Sequence, residues 1–312
     1  NATTSGTEGL TLRAGTGGDI SLGTVGGTTR VGAFTITSAD DVSAGAITAS
    51  TITQTAATSA TYSGALNTNA GGGISLTGGS ISLAGATTTN GGGLTINNSA
   101  ALSIDGALNL DGALSQTGTG TVTISNNITT TNDAVSFASN VILGTDISID
   151  TNSGTGANVT FGGTLNGTTA GADNLTINAG SGDVTFTGAI GGSTPLGILT
   201  ITSADDVSAA AATFLRMVQS AGTGTTSFSG AVNATNGGLS LTGTNFTFGS
   251  TVNTTSTSGL TVVATGALTL NGAVSLDGSL VFSGGGTVAI NADVTTTNDN
   301  ISITGNATIG DS

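Results

Sequence analysis

The ten residues Thr35–Ala44 read TITSADDVSA, and the same ten letters return at Thr200–Ala209, 165 positions later. Further collinear matches pair Leu10–Leu12 with Leu175–Ile177 and Thr129–Asp133 with Thr295–Asp299. A biased composition does not produce an identical decapeptide with ordered matches on both sides. The sequence therefore predicts nearly two copies of one long repeat, over residues 1–165 and 166–312, within one continuous solenoid.

A finer rhythm runs through each copy, in which a Ser or Thr usually separates two apolar residues. These triplets are Ile20–Leu22, Ile74–Leu76, Ile81–Leu83, Leu94–Ile96, Val122–Ile124, Val135–Phe137, Ile147–Ile149, Val159–Phe161 and Val184–Phe186. A period of two predicts short strands with one buried face. Turn residues separate the strands, and we assign turns to Gly71–Gly73, Asn90–Gly93, Asn97–Asn98, Gly191–Gly192 and Gly284–Gly286.

Many very short strands are compatible with a sandwich or barrel, a functional amyloid, or a parallel β-helix. The 53 glycines and the single proline favour the β-helix, because its corners need glycine and its ladders lose a donor at proline. A sandwich or barrel needs larger core residues than the Leu, Ile and Val that dominate here. The fold class expected is all-β, a parallel β-helix (β-solenoid) with short strands and Gly/Asn-rich turns. The stretch 209–219 resembles a short helix, but we predict a strand because its counterpart in the first copy is strand-like.

Charge restricts the partners of this chain. The only cations are Arg13, Arg30 and Arg216, against 17 acids, so the formal net charge is −14. Nucleic-acid binding is not expected, because it requires phosphate neutralisation by many cations. No apolar run is long enough for a transmembrane helix, so membrane insertion is not expected. Asn1 begins within a repeat, which suggests that the segment derives from a longer or processed chain.

Groups that commonly perform acid–base or nucleophilic chemistry are scarce. The chain has no His, Cys or Lys, and Glu8 is its only glutamate. A carbohydrate-active β-helix enzyme is a minor alternative, although three scattered arginines do not suggest a cleft for acidic sugars. We expect a non-enzyme with no catalytic residues, no cofactor and no disulfide.

Calcium is the one metal that the sequence raises. Asp40–Asp41 recurs as Asp205–Asp206, and Asp19 ends the run GTGGD, which is half of a calcium-binding nonapeptide. That motif works in tandem, whereas here it occurs once, so solvated corners are the favoured interpretation. No metal site is predicted, and calcium binding by Asp19, Asp40, Asp41, Asp205 or Asp206 is left open.

A Thr-rich flat face also raises ice binding as a minor alternative. That function requires a regular Thr-x-Thr on every coil. Thr35–Thr37, Thr51–Thr53 and Thr200–Thr202 fit this pattern, but most triplets have the reverse order, apolar-Thr-apolar.

The strings TITSADDVSA, ISLTG and TTTND, within a repeat of about 165 residues, resemble the arrays of filamentous-haemagglutinin-like large exoproteins and related giant bacterial surface proteins. The resemblance implies a right-handed β-helix, secretion to the bacterial cell surface, and adhesive or structural duty. We therefore expect an extracellular rod, stalk or filament. Its expected partners are neighbouring repeats or end-to-end copies of itself, together with surface glycans or other cells.

Overall fold

A computed structural model describes residues 1–152 and 155–310, and every regular element in these ranges is a β-strand. The chain forms two compact units. Unit 1 comprises Asn1–Ile142 and Asp150–Asn152, and unit 2 comprises Leu143–Ile149 and Ser153–Ser312. Parallel strands stack as coils within each unit, and the coils amount to about 14 turns of β-solenoid. The predicted all-β solenoid with parallel strands is therefore confirmed.

Most of the strands are only three to five residues long. The first eighteen are β1 (Leu10–Arg13), β2 (Ile20–Leu22), β3 (Val31–Ser38), β4 (Asp41–Ala44), β5 (Ile47–Gln54), β6 (Ser59–Tyr62), β7 (Leu66–Thr68), β8 (Ile74–Gly78), β9 (Ser80–Leu83), β10 (Thr87–Thr89), β11 (Leu94–Asn98), β12 (Leu102–Ile104), β13 (Leu108–Leu110), β14 (Leu114–Gln116), β15 (Val122–Ile124), β16 (Ile128–Thr130), β17 (Val135–Phe137) and β18 (Val141–Leu143). The remaining strands are β19 (Ile147–Asp150), β20 (Val159–Phe161), β21 (Leu165–Gly167), β22 (Leu175–Asn178), β23 (Val184–Phe186), β24 (Leu196–Ser203), β25 (Val207–Ala209), β26 (Ala212–Gln219), β27 (Thr225–Phe228), β28 (Val232–Ala234), β29 (Leu239–Gly243), β30 (Asn245–Phe248), β31 (Val252–Thr254), β32 (Leu260–Ala264), β33 (Ala267–Leu270), β34 (Val274–Leu276), β35 (Leu280–Ser283), β36 (Thr287–Ile290), β37 (Val294–Thr296), β38 (Ile301–Ile303) and β39 (Asn306–Ile309).

Within unit 1 the strands pair in parallel ladders along separate faces of the coil. The first ladder contains β1, β3, β5, β8, β11, β14 and β17. The second contains β2, β4, β6, β9, β12 and β15. The third contains β7, β10, β13 and β16, and it begins on the first residues of β5. Strand β5 therefore serves two faces, because its two halves pair with different neighbours.

Unit 2 has the same kinds of ladder. Its first ladder contains β22, β24, β26, β29, β32, β35 and β38. Its second contains β20, β23, β25, β27, β30, β33, β36 and β39. Its third runs from the first residues of β26 through β28, β31, β34 and β37. The segment Ala212–Gln219 is thus a strand, which confirms the strand prediction for most of the stretch 209–219.

The core is a set of apolar columns, because side chains alternate across each strand and each coil places equivalent residues in register. In the first ladder of unit 1, one inward column consists of Phe34, Ile52, Ile74, Leu94, Leu114 and Val135, all fully buried. In unit 2, parallel rings stack between coils, with centroids 5.3 Å apart for Phe161 and Phe186. The central Ser or Thr of most triplets faces outward, as the period of two predicted.

One predicted turn is wrong. Asn97 and Asn98 end strand β11 instead of forming a corner. Asn98 is fully buried, and its Nδ2 donates to the carbonyls of Ala100 (2.7 Å) and Gly120 (3.1 Å). Gln116 on the next coil donates to Asn98 Oδ1 at 2.7 Å. A buried amide is tolerated when its donors and acceptors are paired, so asparagine here marks an interior site.

The corners use left-handed backbone where the sequence provides residues that accept it. Asn132 and Asn298, at the same place in the two TTTND strings, have φ of 62° and 61°. Gly73 has φ of 55°, and a Cβ on it would lie 2.2 Å from the carbonyl oxygen of Gly93. Only glycine allows this close approach of neighbouring coils.

Candidate functional site

The surface of each unit is dominated by columns of outward hydroxyls. The second ladder of unit 1 places one such residue on each coil, in register: Ser21, Ser43, Thr61, Ser82, Ser103 and Thr123. Parallel strands lie about 4.8 Å apart, so the hydroxyls repeat at that interval along the column. The result is an almost uncharged polar face with a fixed period.

The first ladder of unit 1 carries two outward columns side by side. Five consecutive coils contribute the pairs Thr35 and Thr37, Thr53 and Thr55, Ser75 and Thr77, Thr95 and Asn97, and Ser115 and Thr117. Every member except Asn97 carries a hydroxyl, and the residue between the two members points into the core. Two of the five pairs are Thr-x-Thr, and two more combine Ser with Thr, so the outward hydroxyls are more regular than the apolar-Thr-apolar triplets indicated.

In unit 2, the second ladder carries a similar column. Its outward members are Thr160, Thr185, Ser208, Ser227, Thr247, Thr269, Ala289 and Thr308. Alanine interrupts the run of hydroxyls only on β36. On the first ladder, by contrast, Val218 and Val281 replace hydroxyl residues in the outward column.

Some hydroxyls also join successive coils at the corners. Thr55 Oγ1 donates to the carbonyl of Thr37 at 2.7 Å, and Thr255 Oγ1 donates to the carbonyl of Thr235 at 2.9 Å. These bonds supplement the backbone ladders at positions where the chain turns. At these corners, side chains join neighbouring coils in addition to the strand pairing.

The acidic residues of the first TITSADDVSA string lie at a corner between β3 and β4. Asp41 donates its backbone N–H to Asp19 Oδ1 at 3.3 Å, and Asp41 Oδ1 accepts from Ser59 Oγ at 2.7 Å. The backbone N–H of Asp40 donates to the carbonyl of Gly18. Asp19 and Asp41 thus form a column in which each carboxylate accepts a hydrogen bond from the following coil.

The second string repeats this use of carboxylates in unit 2. Asp183 Oδ1 accepts from the backbone N–H of Asp206 at 3.2 Å, and Asp206 Oδ1 accepts from that of Thr225 at 2.6 Å. Asp205 Oδ1 accepts from Thr223 Oγ1 at 2.6 Å. Within residues 1–152 and 155–310, no three or more His, Cys, Asp or Glu side chains gather as a metal centre would require. The observed arrangement of these aspartates is that of hydrogen-bonded corners.

A second kind of carboxylate site was not anticipated from the sequence. The carboxylate of Glu8 accepts a hydrogen bond from the hydroxyl of Thr3. It also accepts one from the backbone N–H of Thr4, whose nitrogen lies 3.1 Å from Glu8 Oε2. Asp173 Oδ2 accepts from the backbone N–H groups of Thr168 (2.7 Å) and Thr169 (3.0 Å). Each carboxylate closes a Thr-Thr loop ahead of a ladder strand, and the recurring Thr-Thr pair four residues before an acid is the signal that could have revealed them.

The search for relatives identifies no family. The sequence matches no protein-family model, and no curated protein or solved structure shows significant similarity to it. No helix capable of spanning a membrane occurs in the described ranges. The functional inference must therefore come from the ladders and from the surface chemistry of the two units.

Proposed function

We propose that this chain is a non-enzymatic segment of an extracellular bacterial surface protein, in which stacked coils serve as a rigid rod, stalk or filament. The observation that carries this proposal is the continuous parallel pairing within each unit, where successive coils pair along several faces. A repetitive scaffold of this kind is suited to spacing and bearing load.

The physical basis of stiffness is the separation of the ladders around the coil. Each coil of a solenoid contacts only its neighbours, and stability accumulates through these nearest-neighbour interfaces. Bending would have to stretch the backbone hydrogen bonds of one ladder while compressing another. Paired interior amides such as Gln116 with Asn98 add side-chain bonds between coils. We infer that the stack resists bending without disulfides, which this cysteine-free chain cannot form.

Adhesive duty and extracellular location are the second part of the proposal. Outward Ser and Thr columns provide many weak hydrogen-bonding groups, and the net charge of −14 keeps neighbouring rods apart at low ionic strength. The partners that fit this outward surface are the hydroxyl-rich glycans of other cells, whereas copies of the chain would join end to end through their coils. A stalk within one giant chain and a filament built from subunits stacked end to end both fit the proposal.

Electron microscopy of the purified native material, without an added partner, tests the structural part. Long fibres with an axial repeat of about 4.8 Å would support a filament, and isolated short rods would support a stalk segment. Compact globular particles would contradict both forms. Diffraction from aligned material provides the control, since a disordered aggregate would lack the axial reflection.

Ice binding is a second candidate, and the paired hydroxyl columns on the first ladder of unit 1 favour it. A crystal surface is periodic in two directions, and these columns are periodic both along and across the ladder. Ice binding is tested by measuring thermal hysteresis, the difference between the melting and freezing points, with the intact chain. Thr53→Lys within the paired columns should abolish the effect, whereas Ser82→Lys on the single column of the second ladder should preserve it. Absence of hysteresis in the unaltered chain would exclude this candidate.

A further inference from the structure

A groove of about 530 Å³ opens on the first ladder of unit 2, over strands β26, β29 and β32. Its lining includes Ile198, Leu215 and Arg216 on one side. Ser240 and Thr261 contribute hydroxyls from the next coils. This volume lies within the range of about 300 to 1,000 Å³ that small-molecule sites occupy.

Arg216 is the distinctive group in this groove. It lies opposite Ile198 in the register of β24 and β26, and its side chain is exposed. Its aliphatic stem rests on Gly237, where a Cβ would come within 2.9 Å of Arg216 Cβ. In the described part of the chain, no hydrogen bond or salt bridge engages its guanidinium. By contrast, Arg30 of unit 1 donates to the carbonyl of Asn67 at 3.0 Å.

The two copies differ at this place. Strand register puts Ala33 opposite Thr51 in unit 1, where unit 2 has Ile198 opposite Arg216. Ser50, which precedes Thr51, likewise corresponds to Leu215. Two other groove residues keep their chemistry, since Ser75 and Thr95 in unit 1 correspond to Ser240 and Thr261 in unit 2. At these three positions unit 2 therefore has larger side chains and a cation, and all three residues line the groove.

The lining suggests a particular ligand. A guanidinium presents a planar fork that binds a carboxylate through two parallel hydrogen bonds. No Asp or Glu lines the groove to neutralise Arg216, which is the only cation in the sequence of unit 2. Ile198 and Leu215 offer apolar surface for C–H groups. Hydroxyls of Ser240 and Thr261 can both donate and accept hydrogen bonds.

We propose that this groove binds one carboxylate-bearing sugar, a uronic acid residue within an acidic glycan. A sugar ring matches a shallow lining of hydroxyls and one small apolar patch better than a peptide, whose side chain would need a deeper pocket. A single cation in a chain of charge −14 suits a singly charged sugar and disfavours dense polyanions. This inference rests on the adhesive part of the proposed function and gives it a ligand class.

The test is a titration of the intact chain with methyl glucuronide, followed by saturation-transfer NMR or calorimetry, with methyl glucoside as the neutral probe. We expect the glucuronide to bind at least about tenfold more tightly, the factor expected from one charge-assisted contact. Arg216→Gln should abolish this preference. Arg13→Gln is the matched control, because it removes the same charge from an exposed arginine in unit 1 and should leave binding unchanged.

Several results would overturn the assignment. They are equal binding of the two sugars, unchanged binding by Arg216→Gln, and tighter binding of a short peptide through its C-terminal carboxylate. The sugar titration tests the groove, whereas electron microscopy tests the rod, so the two can fail independently. Rods that do not bind the glucuronide overturn the groove assignment alone, whereas compact particles that bind it overturn the rod alone.

Discussion

The hydroxyl of Tyr62 donates a 2.6 Å hydrogen bond to Oε1 of Gln54 in the interior of unit 1. Gln219, the corresponding glutamine of unit 2, accepts instead from Thr226 Oγ1 at 2.8 Å. Phe228 takes the place of Tyr62 there, as the registers of β25 with β27 and of β4 with β6 show. The buried glutamine is retained in both units, and its donor has moved two residues along the strand.

Because the two units use different donors to the buried glutamine, a second substitution should compensate for loss of the Tyr62 hydroxyl. Tyr62→Phe should destabilise unit 1 by about 1–3 kcal/mol, because it leaves a buried amide oxygen without a donor. Adding Ala60→Thr, which recreates the donor position of Thr226, should restore part of that loss. Hydrogen exchange of the β6 amides reports the local change. Equal protection of the β6 amides from exchange in Tyr62→Phe and in the double variant would contradict the predicted rescue.

Alkaline pH should unfold unit 1 through Tyr62, the only tyrosine of the chain. Burial raises the pKa of Tyr62 well above its ordinary value of 10.0. A group whose folded pKa is raised contributes stability below the unfolded pKa, and that stability declines as the pH rises above about 10. Ultraviolet absorbance should therefore show tyrosinate only together with loss of the β-sheet circular dichroism signal. Tyrosinate formation at pH 10 in a folded chain would contradict this expectation.

Acid should loosen the loop before β1. Hydrogen bonds from the Thr3 hydroxyl and from the backbone N–H of Thr4 lower the pKa of Glu8 to about 2. Because the folded pKa is depressed, the contribution of Glu8 is present above pH 4.5 and is lost as the pH falls towards 2. The protection of the Thr4 amide, which is its exchange rate compared with that of an unstructured chain at the same pH, should therefore fall across this interval. In Glu8→Gln the same amide should show no additional pH dependence, and an identical profile in both proteins would contradict the assignment.

Replacing a buried hydroxyl should stabilise the third ladder. The hydroxyls of Thr68, Thr87 and Thr254 are buried and, in the described part of the chain, have no hydrogen-bond partner. Thr87→Val should raise the free energy of unfolding by about 1 kcal/mol, since it removes an unpaired polar group at constant shape. Val252 already occupies the corresponding position of unit 2. Thr88→Val, on the outward side of the same strand, is the control and should change stability little; a loss on Thr87→Val would contradict the account.

The period of two and the turn residues were sufficient to predict the kind of fold. Alternation in triplets such as Val122–Ile124 determines which side chains are buried, because strand geometry sends neighbours to opposite faces. The run Gly71–Gly73 identified a corner, since glycine accepts the left-handed backbone found at Gly73. The absence of cysteine and lysine from the sequence excludes covalent cross-links through those residues.

Local patterns failed where the partner lies on another coil. Asn97 and Asn98 have the composition of a turn, but carbonyls of adjacent coils pair the Asn98 amide inside strand β11. The double hydroxyl columns also depend on which residues of successive strands fall in register. Neither relation is encoded within a short window of sequence.

The sequence by itself determined an acidic stack of short strands with few charged residues and with its apolar residues turned inward. Only the tertiary structure decided which residues become neighbours along the stack. Ile198 and Arg216 are eighteen positions apart in the chain, yet they face one another because β24 and β26 pair in parallel. Coil length sets that register, and coil length depends on how each corner packs upon the one below it. The groove at Arg216 therefore emerges only when the coils are stacked.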